Sequence, residues 1–171
     1  MSGCQKNVMN SPPFHAAGDA PIGRVLVVDG QEMVRCLLCR ILKSWGLACH
    51  PATNLMSAYR AALSEGPFDA VVCDYELPDG NADNLAALMR EHGIMTPIVA
   101  PIGSLAPMTK HEPGVELLAK PFDPIDLKGV LERMLGVGLR KEADPAYNGY
   151  NGGFGTRMAA KAAAEPVVRR V

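Results

Sequence analysis

The 171 residues are 48% hydrophobic and 20% charged, with a formal net charge of -1. This is an ordinary globular composition, without the field needed to steer nucleic acid or an anionic membrane. The length accommodates one domain with a real core plus tails, and excludes two domains of usual size. Five cysteines, odd in number and spread along the chain, do not make the framework of a small secreted domain. No basic N-terminal segment is joined to an apolar run, and none approaches the ~20 apolar residues of a membrane span, so the expectation is a cytoplasmic protein.

Residues 1–21, rich in Pro, Asn, Gly and Ser, bury too little to order themselves and are expected to be a disordered leader. Arg24 to Val28 is a continuous apolar strand that ends on Asp29, a pattern of full burial on both faces. Apolar residues then recur at Val34, Leu37, Leu38, Ile41, Leu42 and Trp45, one face of a helix that Gly46 is placed to stop. Cys36 and Cys39 form a C-x-x-C on that helix, with Cys49 and His50 nearby. A metal or redox site is one reading. The other, which we favour from sequence, is two surface positions off the apolar stripe with no second C-x-x-C to complete four ligands.

Leu47 to Ala52 reads as a second strand, and Thr53 or Asn54 can cap a helix through Leu63 that closes at Gly66-Pro67. Ala70 to Cys73 is a short apolar strand that delivers Asp74 to a turn containing Pro78 and Gly80. In open α/β sheets ligands bind at the carboxyl ends of strands, so Asp74 is the leading candidate for chemistry; a mere cap of the next helix is the competing role. Asn81 to His92 carries Leu85, Leu88 and Met89 at helical spacing, and Pro97 to Ala100 makes a fourth strand.

Pro101, Gly103, Pro107, Pro113 and Gly114 then break the pattern, leaving little room for a helix. The stretch from Ile102 to Gly114 is expected to be the most mobile part of the domain. Val115 to Ala119 is a fifth strand ending at Lys120-Pro121, and Asp123-Pro124 opens a helix with Leu127, Val130, Leu131, Met134 and Leu135 inward. Gly136 and Gly138 bound the domain at 22–137. Residues 138–171, rich in Gly and Ala with a slightly basic balance, read as a flexible tail, either inert or weakly attractive to an acidic partner.

The βα alternation resembles the receiver domain of two-component response regulators. The likeness rests on Val-Leu-Val-Val-Asp29, Asp74-Tyr-Glu-Leu-Pro78, Thr96-Pro97-Ile-Val-Ala and Lys120-Pro121-Phe122, and covers residues ~22–137. It implies a doubly wound α/β fold, flavodoxin-like, with a five-stranded parallel sheet in order 2-1-3-4-5 and, in this chain, a fourth helix that is short or missing. It also implies that Asp74 accepts a phosphoryl group from a histidine kinase, that Lys120 contacts that group, and that Asp29, Asp74 and the backbone carbonyl of Glu76 hold Mg2+. The expected partners are a histidine kinase or phosphotransfer protein, or another signalling protein. No DNA-binding domain is expected, since nothing beyond the receiver region is patterned as a helix-turn-helix, and the only enzymatic step implied is self-catalysed phosphotransfer to Asp74.

This sequence departs from the family pattern at informative places. Gly30 stands where a second acid usually follows the first, which implies weak magnesium binding if any. Ile102 stands where a hydroxyl residue usually ends the fourth strand, with Ser104 two residues on. Ala82 replaces a common glycine, and Leu117 replaces the aromatic partner of the usual switching pair. Two readings follow: a stand-alone atypical receiver that signals by protein contact with weak or absent phosphorylation of Asp74, or a phosphorylation-competent single-domain regulator.

Overall fold

The computed structural model describes residues 20–103 and 111–140. Strand β1 (Gly23–Val28) is followed by α1 (Glu32–Ser44), β2 (Leu47–Ala52), α2 (Leu55–Ser64) and β3 (Ala70–Cys73). A two-residue antiparallel ribbon, β4 (Glu76–Leu77) with β5 (Gly80–Asn81), leads into α3 (Ala82–Glu91). Then come β6 (Ile98–Ile102), β7 (Val115–Ala119) and α4 (Pro124–Leu135). The five long strands form one parallel sheet in the order β2-β1-β3-β6-β7, which is the expected 2-1-3-4-5 once the ribbon is left out of the count. Among the described residues four helices are present, and none lies between β6 and β7, where a fourth βα unit would put one.

Why the central strands read as unbroken apolar runs is visible in the two cores. Leu26, Val28, Val71, Cys73, Ile98 and Ala100 face α2 and α3, whereas Val25, Val27, Ala70, Val72 and Val99 face α1 and α4. Alternate residues point to opposite faces of a strand, and both faces are covered, so no position can be polar. Polarity returns only where the strands end, and that is where Asp29, Asp74 and Lys120 stand.

Helix ends follow local chemistry. Asn54 caps α2 by accepting from the Ser57 N–H at 2.8 Å, while Asp79 reaches from the ribbon to accept from Leu55 and Met56 N–H groups at 2.7 and 3.0 Å. Three of the four orphan donors at that terminus are thereby satisfied, and the loop after Asp74 is fastened to α2. The C-terminal Gly136 takes a left-handed φ of 66°, the usual helix-terminating conformation.

Three expectations are corrected. Leu37 is not inward: it is 55% exposed, because α1 buries only the stripe of Leu38, Ile41 and Leu42 that meets the sheet. Cys39 is not a surface residue; it packs half-buried against the core beside Cys49, and only Cys36 is exposed. The fourth strand runs two residues further than expected, through Pro101 to Ile102, pairing with Leu118 and Ala119 of β7. Pro101 is tolerated although it has no N–H, because its register lies past the last paired residue of β3.

The two ends of the stretch from Ile102 to Gly114 are joined to the sheet by backbone hydrogen bonds. The Ile102 carbonyl accepts from Lys120 N–H at 2.8 Å, and that of Gly114 from Ile98 N–H at 2.9 Å. Packing continues past 137: Leu139 is buried, and the Arg140 N–H donates to the Trp45 carbonyl at 3.1 Å. The expected leader at 1–19, Ser104 with the rest of 104–110, and the tail at 141–171 lie outside the described residues.

The corrected α1 stripe is testable by denaturant unfolding. Leu42→Ala removes a fully buried side chain and is expected to cost about 2–5 kcal/mol. Leu37→Ala should stay within about 0.5 kcal/mol.

Candidate functional site

The carboxyl edge of the sheet brings three of the candidates together. Asp29 follows β1, Asp74 follows β3 and Lys120 follows β7. Backbone bonds fix each position: Asp29 N–H donates to Ala52 O at 3.2 Å, Asp74 N–H to Val28 O at 2.8 Å, and Tyr75 N–H to Pro101 O at 3.0 Å. Lys120 crosses from the edge strand so that its Nζ donates to Asp74 Oδ1 at 2.9 Å. An open cleft of about 490 Å³ is lined by Gln31, Asp74, Tyr75, Glu76, Ile102 and Lys120.

Asp29 is buried, 3% exposed, and stands outside the cleft wall. Its Oδ1 accepts from the Gln31 N–H at 2.7 Å, and its carbonyl accepts from Arg35 Nη1 at 2.7 Å. Burial pushes its carboxyl above the ordinary value; the Gln31 hydrogen bond opposes that, the charge of Asp74 adds to it, and Lys120 and Arg35 oppose it. Two carboxylates thus sit close enough to repel, with one ammonium bonded to Asp74. Among the described residues no group of three or more His, Cys, Asp or Glu side chains is placed to hold a metal ion.

The departures have a spatial meaning. A Cβ built on Gly30 would lie 3.3 Å from Pro78 Cγ and 3.5 Å from Pro78 Cδ, so the loop after Asp74 leans over position 30. Ile102 is 7% exposed and presents an apolar wall to the cleft. Glu76 is exposed at the start of the ribbon, on the cleft wall, and Leu117 is half-buried against the α2 and α3 core.

Sequence reasoning missed two parts of this region. Gln31 lines the cleft and is the N-cap position of α1, yet its side chain makes no capping bond. Asp83, on the first turn of α3, is a hub: Oδ2 accepts from the Tyr75 hydroxyl at 3.0 Å and meets His111 Nδ1 at 3.0 Å, while Oδ1 accepts from the Glu112 N–H at 2.9 Å. Glu112 is also paired with Arg90 at 2.8 Å, and the Tyr75 and His111 rings meet edge to face at 5.7 Å. Burial works against the charge on Asp83, but the bonds from His111, Glu112 and Tyr75 outweigh it and hold the carboxyl below its usual range. The residue next to Asp74 is therefore wired to the segment preceding β7. An acid in a first helical turn reads as a partner of the helix dipole, and nothing in the local pattern brings a residue 28 positions away to it.

No family model matches the chain. The sequence is 28% identical over 133 residues to the DNA-binding transcriptional regulator NtrC of Bradyrhizobium sp. (strain RP501 Parasponia), which covers 75% of this chain and 28% of that protein. It spans less than half the length of the curated relatives that it matches. Among solved structures, a response regulator receiver protein from Sinorhizobium medicae WSM419 superposes with a TM-score of 0.60 at 21% identity, covering 67% of this chain and 94% of that one. The receiver domain of sensor histidine kinase PA1611 from Pseudomonas aeruginosa PAO1, solved with a magnesium ion coordinated in its active site cleft, has a TM-score of 0.60 at 21% identity over 67% of this chain and 98% of that one. The fold is that of a response-regulator receiver domain. No helix among the described residues is long and apolar enough to cross a membrane.

Asp29 and Asp83 are shifted in opposite directions. A folded-state value above the ordinary one makes ionised Asp29 a cost at neutral pH, relieved as pH falls through that value and gone below the unfolded value of 3.8. Asp83 lies below its ordinary value of 3.8, so its contribution is present above that pH and is lost as pH falls through the folded value. Asp29→Asn should therefore raise the melting temperature at pH 7 by a margin that shrinks towards pH 4. Asp83→Asn should lose about 1–3 kcal/mol at pH 7, with the loss shrinking in acid. Thermal melts across that range check both.

Proposed function

We propose that this chain is an atypical receiver of a two-component or phosphorelay pathway, one that works through protein contacts and takes a phosphoryl group at Asp74 weakly if at all. The observation that carries the reading is the cleft itself. It keeps the Asp74 carboxylate and Lys120 at 2.9 Å with apolar Ile102 on its wall, which supports the reading that Gly30 and Ile102 replace a second acid and a hydroxyl.

In this proposal Asp74 is the nucleophile. A carboxylate oxygen attacks the phosphorus of a phosphohistidine or acyl phosphate donor, the bond to the donor's leaving group breaks, and an acyl phosphate remains on Asp74. Lys120 Nζ, now on Oδ1 of Asp74, follows the charge to a phosphoryl oxygen. Asp29, Asp74 and the Glu76 carbonyl would hold Mg2+, which takes oxygen ligands, often only one or two carboxylates with waters and phosphate completing the shell. The ion would supply charge neutralisation between the two acids and the incoming anion. With Gly30 under Pro78 the set is one acid poorer, so magnesium should bind weakly. With Ile102 on the wall, no side-chain O–H from that position greets the phosphoryl group, and occupancy of Asp74 transmits little through β6.

The partners in this reading are a histidine kinase or phosphotransfer protein, or another signalling protein. A phosphorylation-competent regulator is the second reading, favoured by the intact pair of Lys120 with Asp74.

Magnesium titration followed by intrinsic fluorescence or amide chemical shifts tests the proposal. Gly30→Asp, on a backbone with no positive φ at that position, should tighten binding several-fold, whereas Gly30→Ala should not. Acetyl phosphate should add one phosphoryl group to the wild type slowly and none to Asp74→Asn. Magnesium affinity unchanged by Gly30→Asp, with rapid stoichiometric labelling of the wild type, would hand the case to the second reading.

A further inference from the structure

The thiols in contact are not the two of the C-x-x-C. Cys39 projects from the middle of α1 and Cys49 from the centre of β2, and both belong to the core between α1, α4 and the sheet. The Cys49 Sγ lies 3.7 Å from the Cys39 carbonyl oxygen and 4.0 Å from that of Leu47, and the two thiols are near enough to shift one another's ionisation. Both are half-buried, so a small solute can reach them while bulk solvent is largely kept out. The remaining described cysteines are placed differently. Cys36 is exposed one turn earlier, and Cys73 is buried in the central strand with its thiol donating to the Asp74 carbonyl at 3.2 Å.

We propose that Cys39 and Cys49 are a reversible oxidation site, a nucleophilic and a resolving thiol that a hydroperoxide converts into a disulfide joining α1 to β2. The geometry supplies the pairing, and the electrostatics supply a division of labour. The adjacent Cys49 thiol, with help from Lys43 and Arg35 against the effect of burial, lowers the Cys39 thiol to about 7. The Cys49 thiol is pushed up by the adjacent Cys39 and by burial, so it stays protonated. A thiolate beside a neutral thiol is the arrangement that peroxide chemistry needs. Cys73, pushed up by burial and by the charges of Asp74 and Asp29, is silent.

The chemistry balances in two steps. The Cys39 thiolate attacks one peroxide oxygen, the O–O bond breaks, hydroxide (or alkoxide) leaves, and Cys39 becomes a sulfenic acid. Cys49 sulfur then attacks the Cys39 sulfur, the S–O bond breaks, and the Cys49 proton leaves with the hydroxide as water. Overall two thiols are oxidised by two electrons, and hydrogen peroxide is reduced to two waters. The bond would fasten α1 to β2, and it is the first turns of α1 whose Gln31 and Arg35 hold Asp29.

The test uses the full chain and hydrogen peroxide, followed by alkylation of residual thiols and peptide mapping without reductant. The expected result is loss of two hydrogens and of two free thiols, a Cys39–Cys49 linked peptide, and full reversal by dithiothreitol. Cys36→Ser should leave that linkage intact, and Cys49→Ser should leave Cys39 as a sulfenic acid that dimedone captures. Because the mapping is done first on the wild type, a poorly folded Cys49→Ser does not blunt the test. Linkage of Cys36 to Cys39, dimers joined through Cys36, or Cys39 and Cys49 both still alkylatable after peroxide would each overturn the proposal.

Discussion

Two carboxylates and one ammonium meet at the carboxyl edge of the sheet, the ammonium bonded to Asp74, and the architecture of the domain serves to hold them there. Asp29 and Asp74 end adjacent parallel strands that are buried on both faces, so neither can move away from the other without breaking the ladder. Lys120 comes from the far edge strand to reach Asp74 Oδ1 at 2.9 Å. Burial and the neighbouring negative charge raise the carboxyl of Asp29, which marks the site as one that a cation or a proton would stabilise. A core of Val, Leu, Ile, Ala and Cys73 keeps this polar corner in place.

What surrounds the corner explains why it should answer weakly. Pro78 leans on Gly30, Asp79 ties the same loop to α2 through the Leu55 and Met56 N–H groups, and Ile102 is sealed into the wall. Tyr75, next to Asp74, is committed to Asp83, which also holds His111 and Glu112. The loop after Asp74 and residues 111 and 112 before β7 are thus both already tied down by hydrogen bonds. A large rearrangement on modification would have to break several bonds that a hydroxyl at 102 is not there to replace.

Much of this was legible in the residues because burial on two faces leaves a simple signature. The strands at 24–29, 47–52, 70–73 and 115–119, each ended by an acid, a turn or Lys120, could be read directly, and with them the positions of Asp29, Asp74 and Lys120. Contacts between distant segments were not legible. The partner of Cys39 is ten residues away across a layer boundary, whereas the eye is drawn to Cys36 three residues back. His111 meets Asp83 only because β7 returns beside β6. Pro101 in a strand and Leu37 outside the core are failures of local rules whose outcome is set by register and by how wide a helical stripe the sheet can cover.

In the proposed reading the site is assembled but poorly coupled because of the side chain at position 102. Amide chemical shifts measured with magnesium and beryllofluoride, a phosphoryl mimic, test this directly in the wild type and in Ile102→Thr. The account predicts that changes in the wild type stay around Asp74 and Lys120, and that Ile102→Thr extends them to His111, Glu112 and β7. Wild-type changes that already reach β7, and that Ile102→Thr leaves as they are, would contradict it.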